Sequence, residues 1–61
     1  MYEIHVFVQV GTDEPELDSI FTEGTTPAML KLVADLIAFG ADVVDKPIVE
    51  IRIKAVPPTS T

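Results

Sequence analysis

From residue 2 to residue 10 the chain alternates, with Tyr2, Ile4, Val6, Val8 and Val10 on one side and Glu3, His5, Phe7 and Gln9 on the other. A period of two belongs to an extended strand with one buried face, so the pattern predicts a strand over 2–10. The run Gly11-Thr12-Asp13-Glu14-Pro15-Glu16 then gathers turn formers and charges, and Pro15 has no amide hydrogen for a ladder; it reads as an exposed loop. Over Leu17–Thr22 the β-formers Ile20, Phe21 and Thr22 predict a short second strand, with Leu17, Ser19 and Phe21 sharing a face. A last alternation sets Val49, Ile51, Ile53 and Ala55 against Glu50, Arg52 and Lys54, predicting a strand over Ile48–Val56 that Pro57 and Pro58 stop.

Between the second and last strands the period changes. Gly24-Thr25-Thr26-Pro27 announces a helix, with Thr26 as the cap and Pro27 at the first helical position, where a missing amide hydrogen costs nothing. The helix should run from Pro27 to Phe39, with Gly40 as the left-handed residue that closes it and Asp42 in the connection beyond. Met29, Leu30, Val33, Leu36, Ile37 and Gly40 fall at the spacing of one stripe and are expected to cover the sheet.

The element order β-β-α-β fits a single domain over residues 1–56 with a frayed tail over 57–61. A right-handed crossover from the second to the third strand carries the third past the second to pair antiparallel with the first. The expected fold is therefore α+β: a two-layer sandwich of one helix on a three-stranded, mostly antiparallel sheet of order 2-1-3. Both outer strands of such a sheet are open edges.

Composition narrows the function classes. Apolar residues make up 48% of the 61 positions, too many for a disordered chain. A domain this short buries only about 60% of the surface its unfolded chain exposes, and small domains usually need a staple. No cysteine is present to form a disulfide or thiolate site, and His5 is the sole histidine, so self-association is the remaining route. No cofactor and no metal are expected. The amino-terminal residues lack the basic and apolar regions of a leader, and the apolar stretch 28–41 is too short to cross a bilayer and is interrupted by Lys31 and Asp35. These features predict a soluble cytoplasmic protein. Ten acids against four bases give a net charge of −6, which argues against direct nucleic-acid binding. Residues 1–45 hold nine of those acids and one base, whereas 46–61 hold Lys46, Arg52 and Lys54 against Glu50 alone.

The helix carries more apolar surface than one stripe can bury. Leu32 and Phe39 flank the narrow polar stripe marked by Lys31 and Asp35, and Phe7 stands among polar residues on the strand face turned from the helix. Leu32, Phe39, Phe7 and Asp35 are the candidate interface residues, and a homo-oligomer, a dimer by preference, is the expected assembly. A heterologous protein partner is the other occupant such a surface would suit. The acidic residues Asp13, Glu14, Glu16 and Asp18 could steer a basic partner; their spacing is not that of a calcium loop.

A second function class rests on His5, Arg52, Tyr2 and Glu50 as polar groups of a small-molecule pocket at a subunit interface, in a binding protein or minor enzyme. Arg52 has the fixed fork of donors that suits a carboxylate or phosphate. No nucleophile or oxyanion donor stands at a telling distance from His5, so no catalytic residue is assigned. A third class, an acidic inhibitor of a basic nucleic-acid-binding protein, is permitted by the charge. The first class, a small non-catalytic interaction or regulatory protein, accounts for the most residues.

Overall fold

A computed structural model describes residues 1–57. The elements are β1 (Tyr2–Val8), β2 (Glu16–Glu23), α1 (Thr26–Val43) and β3 (Ile48–Ala55). The three strands form one antiparallel sheet in the order β2-β1-β3, with α1 on one face, an α+β fold. The tail expected from Pro57 onward lies, beyond Pro57 itself, outside the described residues.

The central strand is the most apolar one, because only a strand paired on both sides and covered by the helix can hide a complete face. Ile4 and Val6 are 0% exposed and Val8 is 2% exposed. Met29 and Leu36 close over Ile4 and Val6, while Tyr2, Phe21, Leu32, Val33, Ile48 and Ile51 pack partly buried around them. Among the described residues no polar or charged residue is buried as a whole, although the Ser19 hydroxyl oxygen is enclosed, so apolar burial supplies most of what holds the core.

Two bulges set which side chains reach that core. In β2, Ser19 pairs with Val6 and Leu17 with Phe7, leaving Asp18 as an extra residue. The insertion corrects the expected face of β2: Ser19 and Phe21 do point toward the helix, but Leu17 is moved to the opposite side beside Phe7. In β3, Glu50 pairs with Phe7 and Ile48 with Val8, which leaves Val49 as the extra residue.

The helix also departs from expectation at both ends. Its cap is Thr25 rather than Thr26, with the Ala28 amide donating to Thr25 Oγ1 at 3.3 Å. Thr26 is already helical, and its hydroxyl is instead hydrogen-bonded to the Tyr2 hydroxyl at 2.6 Å, tying the helix start to β1. At the other end α1 runs on to Val43, so Asp42 is helical and not in the connection. Phe39 leaves helical geometry (φ −128°, ψ 19°), and the helix kinks there before a last turn closed by the Val44 amide on the Gly40 carbonyl at 2.9 Å. Gly40 is thus an interior residue and not a left-handed terminator; the described glycine with positive φ is Gly11, at +60°. What Gly40 provides is space. A Cβ there would lie 2.6 Å from Ile48 Cδ1, so the missing side chain lets the start of β3 pack against the helix end.

Candidate interaction surface

The side chains at the helix–sheet junction follow from how α1 is rotated. Its buried line is Met29, Leu32, Val33 and Leu36, with Leu32 half-buried against the core. Leu30 and Ile37, expected to cover the sheet, are instead 57% and 74% exposed. This reverses the expected placement: Leu32 is a core-flanking residue, and the apolar surplus lies one residue step away around the helix. Phe39 is exposed as expected, at the kink. Asp35 is exposed on the far side of the helix from Ile37, since two residues correspond to roughly 200° of rotation.

Ile37 turns toward the β3 side of the sandwich, and Leu30, seven residues earlier, falls on the same face of the helix. Ile37 lines an open groove with Leu36, Ile48, Val49 and Ile51. Val49 and Ile53 of β3 are each about half exposed, because the single helix is too narrow to cover all three strands. β3 is also an edge, paired on one side only, with β1. Apolar side chains and unpaired strand backbone therefore adjoin along one side of the molecule, the arrangement by which sheets add a strand.

The second edge has a different character. β2 carries Glu16, Asp18 and Glu23, and the bulge at Asp18 interrupts its ladder. Like charges and a bulge both discourage pairing with another strand. Asp13, Glu14, Glu16 and Asp18 are all exposed. Among the described residues no three His, Cys, Asp or Glu side chains converge to hold an ion.

On the sheet face away from the helix, His5 pairs across from Arg52, Phe7 from Glu50 and Glu3 from Lys54. Nε2 of His5 lies 3.0 Å from a Glu3 carboxylate oxygen. Arg52 donates from Nε to Glu50 at 2.8 Å, and its guanidinium carbon stands 5.0 Å from the centre of the Phe7 ring. The hydrogen bond and charge of Glu50 hold the Arg52 pKa above its ordinary value. Arg52 thus covers Phe7, which is half-buried rather than fully free. Of the expected polar group, His5, Arg52 and Glu50 share this face, but Tyr2 does not: its hydroxyl is on the helix side, bonded to Thr26. With Nε occupied by Glu50 and the cation over an aromatic ring, Arg52 is engaged within its own sheet. Leu17 and Ile20, each about half exposed, complete this face beside Phe7. Leu17 was hidden from pattern reasoning by the Asp18 bulge, and Leu30 and Ile37 by the rotation of the helix.

No family model matches this chain, and neither the curated proteins nor the solved structures contain a match. No helix among the described residues is long and apolar enough to cross a membrane.

Proposed function

We propose that this is a small acidic interaction or regulatory protein without catalytic activity, working in the cytoplasm as a homo-oligomer, with the dimer as its favoured form. The observation that carries the reading is the exposure of Ile37 beside Val49 and the unpaired edge of β3, with exposed Leu30 on the same helix face and exposed Ile53 further along the strand. Exposed apolar groups are ordinary when scattered; here they adjoin one another along an open edge in a chain with few buried residues. The acids of the 11–18 segment and β2 supply the steering field for a further, basic partner.

Light scattering coupled to size exclusion, across a wide concentration range at low and high salt, tests this directly. The intact protein should give twice the chain mass. Replacing both Leu30 and Ile37 with serine should shift it to the monomer with its fold retained, because neither side chain belongs to the core. A folded monomer at every concentration would overturn the reading and direct the search to a heterologous partner.

A further inference from the structure

We infer that two copies join edge to edge through β3, antiparallel and centred on Ile51, to make a continuous six-stranded sheet with both helices on one face. The inference rests on the self-association proposed above and specifies its geometry. Three observations lead to it.

The first is the contrast between the two edges. Each edge strand has one bulge, at Asp18 in β2 and at Val49 in β3, but the charges of β2 are all acidic, whereas β3 presents Glu50, Arg52 and Lys54, of both signs, in alternation with Ile51 and Ile53 beyond its bulge. Pairing through β3 leaves β2 at both outer edges, where its charges and bulge stop further strand addition. The assembly closes as a dimer and does not grow.

The second is charge complementarity at one register. With Ile51 opposite the partner subunit's Ile51, Glu50 falls opposite the partner subunit's Arg52, and Arg52 opposite the partner subunit's Glu50. Within each chain Arg52 already donates to Glu50 at 2.8 Å, so the four groups form a square in which every nearest neighbour has the opposite sign. Centring on Arg52 would oppose two arginines, and centring on Glu50 would oppose two glutamates. A register shifted by one residue would set Ile51 against Arg52 and throw the two helices to opposite faces.

The third is the apolar side of the same ladder. Residues directly opposite in an antiparallel pair share a face, so the two Ile51 side chains meet next to the groove that Ile37 and Val49 line, with Ile53 following on the same face of the strand. Pairing at this edge thus covers exposed apolar surface of β3 together with the neighbouring Ile37 of α1. The bulge at Val49 and Pro47, which has no amide hydrogen, end the ladder on that side.

Charge reversal tests the register. Glu50→Arg alone or Arg52→Glu alone places like charges opposite one another twice per dimer and should weaken the homodimer on the order of tenfold. An equimolar mixture of the two variants restores opposite signs at both positions and should give a heterodimer at least as tight as the original homodimer. Both side chains are on the exposed face, so the fold is expected to persist, and circular dichroism checks it. Because the chain has no cysteine, Ile51→Cys offers an independent reading. Opposed Cα atoms about 4.5–5.5 Å apart permit a disulfide, so oxidised glutathione should convert this variant to a covalent dimer. In the unaltered protein, hydrogen exchange should show β3 amides gaining protection with concentration while β2 amides do not. A dimer that survives both charge reversals, fails to cross-link in the Ile51→Cys variant and leaves β3 unprotected would overturn edge pairing while leaving self-association standing. A monomer for the unaltered chain would overturn both.

Discussion

Replacing Gly40 with alanine sets two effects of similar size against each other. Alanine in place of glycine within a helix stabilises by up to about 1 kcal/mol, because less backbone entropy is lost. The added Cβ, however, would lie 2.6 Å from Ile48 Cδ1 and 3.5 Å from Ile48 Cγ1. The first distance forces a displacement, whereas the second is ordinary contact. Cδ1 is the far end of the Ile48 side chain and borders an open groove, so a change of rotamer relieves the contact at the low end of the usual overpacking cost, about 1 kcal/mol, and Gly40→Ala should be close to neutral. Ile48→Val deletes the Cδ1 atom and, at a half-buried position, should cost no more than about 1 kcal/mol. In the double variant the clash is gone and the helical gain remains. The two substitutions should therefore show a favourable coupling of up to about 1 kcal/mol, measured by urea denaturation of all four proteins at one fixed concentration. If Gly40→Ala alone stabilises by about 1 kcal/mol and the coupling is near zero, then Gly40 is not the point where β3 packs on the helix end, and the explanation given for that glycine fails.

Truncation of the centre of the sheet should be far more damaging. Ile4→Ala removes a fully buried side chain and should cost about 2–5 kcal/mol, which is comparable with the whole stability of about 3–9 kcal/mol expected for a 61-residue chain; a loss below about 1 kcal/mol in chemical denaturation would contradict the assigned core. Thr25→Ala removes the acceptor for the Ala28 amide and should destabilise by about 1 kcal/mol, whereas Thr25→Ser keeps the hydroxyl and should lose little; equal effects in thermal melts would contradict the assignment of Thr25. For a dimer the melting temperature should rise with protein concentration, and a constant value over a roughly hundredfold range would argue against assembly.

The parts of the fold that were legible from sequence are those governed by a strict period over several residues. Tyr2 to Val8 alternates without interruption, and its buried face is the one the alternation marks. The sheet order β2-β1-β3 is the one expected when the crossover carries the third strand past the second to the free side of β1. Where reading failed, a small backbone event had shifted a period that looked intact. One extra residue at Asp18 sends Leu17 to the opposite face, although Ser19 and Phe21 stay where alternation puts them. The helix presents a subtler difficulty: it is apolar over so much of its circumference that stripes centred on Val33 or on Met29 bury similar numbers of side chains. Pattern alone cannot choose between them; packing against Ile4 and Val6 does, turning Leu32 inward and leaving Leu30 and Ile37 outside. The same ambiguity links sequence to the proposed function. A helix meant only to cover a three-stranded sheet in water would gain solubility from a polar flank on either side of its buried stripe. Here the β3 flank remains apolar, next to an edge whose charges complement a second copy of themselves and opposite an edge whose charges do not. That asymmetry is the physical content of the proposed dimer: one side of the molecule is suited to be continued, and the other to stop.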